Sequence, residues 1–264
     1  MKGVTIPCKV RLVANRFLTR CTHQYNIVGV LVLQQYCFDG VLNYLHTLKN
    51  RRLGLRFEAL IFFWLSISPN YEILLQNKQL ITEGRTLGEI DFIIKDCRTH
   101  QLIHLEVAVK FYLGTEDLSD PYRWFGTTVS DQLGKKVDHL KQHQTQLSNK
   151  YPEHFPYPID ARYCLLKGRL FYPDHSSTAP EGIAKYHLKG HWLRSHKTTN
   201  DKLKISAIDK QDWLATLSSE QLQHCNILSQ YPMLDSPQCY LRLGENKEEL
   251  ERVFILPHSF KFPN

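Results

Sequence analysis

Between Leu87 and Leu113 the chain alternates apolar and polar residues in two runs separated by Arg98 and Thr99. In the first run Ile90, Phe92 and Ile94 share one parity, while Glu89, Asp91, Ile93 and Lys95 share the other. In the second, Ile103, Leu105, Val107, Val109 and Phe111 alternate with His104, Glu106, Ala108, Lys110 and Tyr112. Side chains of a strand point to alternate faces of the sheet, so both runs predict strands with one apolar face. Folding them as a hairpin about Arg98 and Thr99 sets Asp91 opposite Glu106 and Glu89 opposite Ala108. This register gathers the apolar residues on one face, and a slip of one residue would scatter them.

Other segments read by the same periodicities. Arg51–Ile67 is basic at its start and apolar on nearly every side after Phe57, which predicts a largely buried helix ended by Pro69 and Asn70. Tyr71–Ile81 predicts a strand, and Thr82–Gly88, with Gly84 and Gly88, a loop. Gly114–Thr128 reads as loop. Ser130–Leu147 predicts an amphipathic helix capped by Ser130, with Leu133, Val137, Leu140 and Gln144 on one stripe. Tyr151–Pro158 is punctuated by proline, and Ala161–Tyr172 predicts a further strand. The order helix, three strands, helix, strand implies a mixed α/β core. Lys210–Leu222 reads as a helix, and the tail with Pro232, Pro237 and Pro257 as a segment packed back on the core. Residues 1 to about 45 suggest only a helix around Ile27–Tyr44.

Composition narrows the function classes. The 264 residues carry a formal net charge of +7, which suits a polyanionic partner such as nucleic acid as well as it suits a basic protein with no such partner. Seven cysteines at wide spacings, with no C-x-x-C, argue against a disulfide framework or a zinc–cysteine site and imply a reducing, cytoplasmic setting. His139 and His143 lack the glutamate of a zinc-protease helix and read as helix surface. The longest apolar run, Ile27–Leu33, falls far short of the ~20 residues that span a bilayer, so no membrane partner is expected.

Two carboxylates directly opposite one another repel. A hard cation between them would relieve that repulsion, because magnesium and its like take carboxylate oxygens. Glu58 adds a third acid in an apolar helix section, where a buried glutamate needs a partner. Either it pairs with Arg51 or Arg52, or it faces the same site as Asp91 and Glu106. Lys185–Lys204 interleaves basic residues with Tyr186 and Trp192. That mixture suits single-stranded nucleic acid, and equally a half-buried strand region.

The G-E-I-D of Gly88–Asp91, with Glu106 one hairpin later, resembles the PD-(D/E)XK nuclease superfamily. More closely, GRTLGEIDFIIKD, HLEVAVKFYL and GRLFYP resemble a bacterial family known as domain of unknown function 1853, over most of the chain from about Arg51 onward. The resemblance implies a restriction-endonuclease-like α/β core over residues 46–173, with a central mixed four-stranded sheet flanked by helices. Residues 174–264 would form an α+β extension on it, and residues 1–45 stay unassigned. It further implies that Asp91 and Glu106, with the Val107 carbonyl and Glu58, hold Mg2+ or Mn2+. The superfamily's E-x-K lysine would fall at Ala108. Lys110, two residues on and on the same face, either replaces it or pairs diagonally with Glu89. Asp131, Gln132, Lys135 and Lys136 are the polar groups that the following helix would offer, or else a solvated face. The implied function is metal-assisted phosphodiester hydrolysis of nucleic acid, DNA before RNA, in which the metal polarises the phosphate and lowers the pKa of a bound water while Lys110 orients that water or offsets transition-state charge. The rival is a nuclease fold that binds nucleic acid or a protein partner without turnover.

Overall fold

The computed structural model describes residues 9–11, 52–173, 176, 178–195, 204–213, 217–230 and 232–263. The fold is mixed α/β, with a large mixed sheet and a few helices. Ten strands lie among the described residues, so the expected central sheet of four strands is corrected upward. The chain divides into two compact units interleaved in sequence: residues up to Val109 with Val137–Lys167, and Lys110–Lys136 with Gly168 onward.

The first unit is built on the hairpin pair. Helix α1, Leu53–Ile67, stops at Ser68, whose extended backbone is the conformation favoured before a proline. Strand β2, Tyr71–Thr82, turns directly into β3, Arg85–Asp96. The loop expected over Thr82–Gly88 shrinks to Glu83 and Gly84, both at positive φ (50° and 74°), the conformation of a two-residue hairpin turn whose twist matches its strands. A glutamate in that position is an uncommon turn residue, which is why the sequence reads as a longer loop. Strand β4, Leu102–Gly114, then pairs with β3 antiparallel, Phe92↔Leu105 through Lys95↔Leu102, in the expected register. The turn is fastened by the Asp96 carboxylate, which accepts from the backbone N–H groups of Arg98 (2.9 Å) and Thr99 (3.3 Å).

Phe92, Ile94 and Ile103 pack with Leu65 and with Ile61 and Phe62 of α1. Full burial of each such side chain contributes about 1.5–3 kcal/mol. Ile93, of the opposite parity, packs with Leu80, Leu147 and Phe155. Ile90, which shares the parity of Phe92, nevertheless packs in this second cluster with Leu80 and Ile93. Strand β6, Ala161–Tyr172, lies next to β4, and β1, Lys9–Arg11, pairs with β6 in parallel.

The helix expected over Ser130–Leu147 is shorter and broken. Helix α2 covers Leu133–Gln142, a 3-10 turn Gln144–Gln146, and α3 Leu147–Lys150. Ser130 lies in a turn ahead of α2 and does not cap it. Thr145 turns its hydroxyl back to the carbonyls of Leu140 (2.9 Å) and Lys141 (3.2 Å), satisfying the end of α2 and stopping it there. The apolar stripe holds, since Leu133, Leu140 and Leu147 are all buried.

The second unit contains the short β5, Trp124–Phe125, on the end of β4, followed by a strand in the stretch that also reads as a half-buried strand region and by others that the sequence pattern does not predict as strands. Strand β7, Leu188–Arg194, pairs in parallel with the end of β6 and with β10, Glu249–Leu256. Strand β9, Gln238–Leu243, joins β10 to β8, Ile205–Ala207. Gly168 is required: a Cβ there would sit 1.6 Å from the Lys110 carbonyl oxygen. Phe171, Phe254, Trp213 and Phe111 form a chain of edge-to-face rings with centroids 4.6–5.2 Å apart. Arg252, fully buried, is held by both oxygens of Glu249 (2.7 and 3.1 Å) and by the Asp212 carbonyl (2.6 Å). The helix expected over Lys210–Leu222 resolves into a 3-10 turn, Lys210–Trp213, and α4, Ser219–Gln223, which Ser218 caps reciprocally with Gln221.

Among the described residues no helix is long and apolar enough to cross a membrane, and Cys97, Cys225 and Cys239 are free thiols. The helix expected around Ile27–Tyr44 and the end of the basic stretch, residues 196–203, lie outside the described residues.

Candidate functional site

Asp91 on β3 and Glu106 on β4 meet where the regular ladder between those strands ends at Phe92↔Leu105. Each carboxylate takes a backbone N–H of the opposite strand. The Val107 N–H donates to Asp91 Oδ2 at 2.7 Å, and the Asp91 N–H to Glu106 Oε1 at 3.4 Å. Side-chain oxygens thus stand in for backbone carbonyls, and this crossed arrangement fixes the two acids against each other.

The face that carries them is covered. Glu106 is 1 % exposed and His104 is fully buried. A buried carboxylate must be satisfied by donors, and Glu106 has two more. His104 Nε2 lies 2.7 Å from Oε1, and Gln144 Nε2 donates to Oε2 at 3.2 Å. Behind the imidazole, Nδ1 is 2.9 Å from Ser148 Oγ, which accepts from Arg162 Nε at 3.3 Å. A consistent proton arrangement runs Arg162 to Ser148 to His104 Nδ1, with the His104 Nε2–H donated to Glu106.

Asp91 has no such support on its second oxygen. Among the described residues, Oδ1 takes no hydrogen bond. Burial pushes this carboxyl up to about 7; the negative charge of Glu106 adds to the rise, the Val107 N–H opposes it, and Glu58 and Glu89 raise it further. Glu58 on α1 is also raised, by burial first, against a hydrogen bond from the Asn77 side chain and with repulsion from Glu89 and Glu106. Asn77 stands in β2 between the pairs Gln76↔Phe92 and Lys78↔Ile90, level with Asp91. Its φ of 50° is a left-handed conformation that a strand residue rarely adopts. Asparagine is among the side chains that tolerate it best, and strain of this kind gathers at functional sites.

Lys110 belongs to the second unit and is engaged there. Its ammonium donates to Asp131 Oδ2 at 2.5 Å, and Tyr112, itself buried, donates to Asp131 Oδ1 at 3.1 Å. Gln132 donates to the Tyr122 carbonyl (3.1 Å), and Lys135 is exposed. In the basic–aromatic stretch, Trp192 is turned inward, donating to the Gly114 carbonyl (2.8 Å) and packing on Phe262. Tyr186 stays 70 % exposed, with Lys185 Nζ 5.6 Å from its ring centre. His139 and His143 are exposed and stacked, centroids 4.9 Å apart.

The family model described as Domain of unknown function (DUF1853) matches residues 32–256. The chain belongs to that family. No curated protein and no solved structure matches it. Within this DUF1853 chain, the hairpin brings Asp91, Glu106 and Val107 together, and Glu58 is close enough to act on both carboxylates. In kind the donors fit a hard cation, being carboxylate oxygens; burial first, and then repulsion from the neighbouring acids, hold Asp91 far above its ordinary range. In number, the described residues converge no group of three His, Cys, Asp or Glu side chains, so a third protein oxygen would have to come from the Val107 carbonyl, or from Glu58 only once its side chain moves toward the pair.

Sequence periodicity could have found His104, which shares the parity of Glu106 two residues away, and Gln144, which lies on the apolar stripe. Ser148 and Arg162 carry no local signal, since they reach His104 only through the packing of α3 and β6.

Proposed function

We propose that this chain is a nuclease-like, metal-dependent phosphodiesterase with a restriction-endonuclease-like core, acting on nucleic acid. The observation that supports it is the crossed Asp91–Glu106 pair, whose oxygens are held side by side and whose anionic surroundings favour a cation. Asp91 Oδ1 and Glu106 Oε2, with the Val107 carbonyl or Glu58, would hold Mg2+ or Mn2+. Such an ion, when bound, polarises a phosphate and makes a bound water acidic. The chain's own residues do the rest. Val107 N–H and the Asp91 N–H fix the two carboxylates across the hairpin, and burial excludes bulk water from Glu106. The excess of basic residues, net +7, supplies attraction for the polyanion, so binding weakens steeply with salt.

A second reading follows from one specific observation. Ala108 occupies the position of the expected lysine, and Lys110 is already paired with Asp131. On that reading the nuclease-like fold, with a cation at this site, binds nucleic acid or a protein partner without turnover. One assay separates the two. The purified chain is incubated with single-stranded, duplex and branched DNA and with RNA, with Mg2+ or Mn2+, beside Asp91→Ala and Glu106→Ala. Metal-dependent cleavage lost in both variants supports the enzyme. No cleavage of any substrate, with cation binding lost in both variants, supports the second reading. No cation binding by the unaltered chain defeats both.

A further inference from the structure

The two oxygens of Glu106 are not equivalent. Oε1 takes two donors, His104 Nε2 and the Asp91 N–H, and the imidazole is itself backed by Ser148 and Arg162. Oε2 takes one, the amide of Gln144, which is half-buried and lies on a three-residue 3-10 turn. We propose that His104 is the positioning residue of this site and that Gln144 is its competitor. His104 holds Oε1 and so aims Oε2 at the cation, while the Gln144 amide fills that oxygen when no cation is there and must leave it when one binds.

The asymmetry follows from anchoring. His104 is fully buried on the strand that carries Glu106, two residues away, and cannot turn aside. Gln144 bonds Glu106 across a sequence gap from a short turn between α2 and α3. A cation bound through Oε2 therefore releases the Gln144–Gln146 turn from Glu106, while Ser148 keeps α3 fastened through His104. Occupancy of the site is thereby coupled to the link between α2 and α3.

This inference rests on the proposed cation site, and its test distinguishes the two. Mn2+ affinity is measured by calorimetry on the full chain and on His104→Ala, His104→Gln and Gln144→Ala. Loss of a hydrogen bond behind a metal ligand costs about 10–100-fold in affinity, so His104→Ala binds Mn2+ that much more weakly. His104→Gln, which keeps an amide donor at the place of Nε2, recovers most of it. Gln144→Ala binds about two- to tenfold more tightly, the range of one ordinary hydrogen bond no longer displaced. A purely structural role would weaken binding in both alanine variants. Weaker or unchanged binding by Gln144→Ala, or no recovery by His104→Gln in a chain that still unfolds cooperatively, overturns this inference alone. Failure of the unaltered chain to bind Mn2+ overturns the cation site and this inference with it.

Discussion

Replacing Asp91 by Asn tests the electrostatics of the pair without cutting its hydrogen bond to Val107, because the amide oxygen accepts the same N–H. In the unfolded chain an aspartate titrates near 3.9. In the folded chain burial and the neighbouring acids raise Asp91 to about 7. Below about pH 4 both states hold the proton. Between about 4 and 7 the unfolded state has lost it and the folded state has not, so the folded state loses about 1.4 kcal/mol per pH unit. Above 7 both are ionised and the loss levels off. Across the whole span the loss is ~4 kcal/mol, an upper figure because part of the Asp91 rise is repulsion from the acids around it. Asn carries no such loss. Urea unfolding in EDTA, followed by fluorescence from pH 4 to pH 8.5, should give equal midpoints for the two proteins at the acid end. Asp91→Asn should be the more stable by up to a few kcal/mol at pH 8. Adding Mg2+ at pH 8 should raise the unfolding free energy of the unaltered chain by ~2.7 kcal/mol at a hundred times the dissociation constant, and leave Asp91→Asn nearly unmoved. A difference between the proteins that stays constant with pH refutes the assigned cause of the Asp91 shift.

Asn77→Gly should leave the thermal midpoint within about a degree or raise it, whereas Asn77→Ala should cost ~1–2 kcal/mol, since alanine has neither the glycine's freedom at φ 50° nor the amide for Glu58. Phe92→Ala empties a fully buried position between α1 and β4 and should cost about 3–5 kcal/mol in urea unfolding. Ser218→Ala removes the reciprocal cap of α4 and should cost ~1 kcal/mol, with the increase in hydrogen exchange confined to residues 218–224.

The hairpin was legible because its information is local and redundant. Period-two alternation, a turn at Asp96–Thr99 and the demand that Phe92, Ile94, Ile103 and Leu105 share a face all select one register. Helix α1 and strands β2 and β6 were legible for the same reason, each being long and apolar. What stayed hidden depends on other parts of the chain. Strands β8, β9 and β10 are short or follow proline-rich stretches, and Val253–Leu256 is buried in a continuous run with no alternation to mark it as strand. The end of α2 is set by the Thr145 hydroxyl, a choice between two local hydrogen-bonding options that periodicity does not register. In the site, two facing acids could be read from the pattern. Their inequality could not, because Asp91 is left with one donor while Glu106 receives three, one of them from Gln144, 38 residues away, and another from a His104 that is itself backed by Ser148 of α3 and, through it, by Arg162 of β6.

Asn77 also bears on how copies of this chain meet. Among the described residues, β2 has a neighbouring strand on one side only, and its other edge presents unpaired backbone groups. Such an edge invites a second molecule to add a strand. Here the exposed stretch runs Gln76, Asn77, Lys78 and Gln79, with a left-handed kink in its middle and a lysine beside it. An incoming strand would find its hydrogen-bond spacing broken at Asn77 and a positive charge to bury at Lys78. The residue that stands level with Asp91 on one side therefore guards the protein against edge-to-edge aggregation on the other.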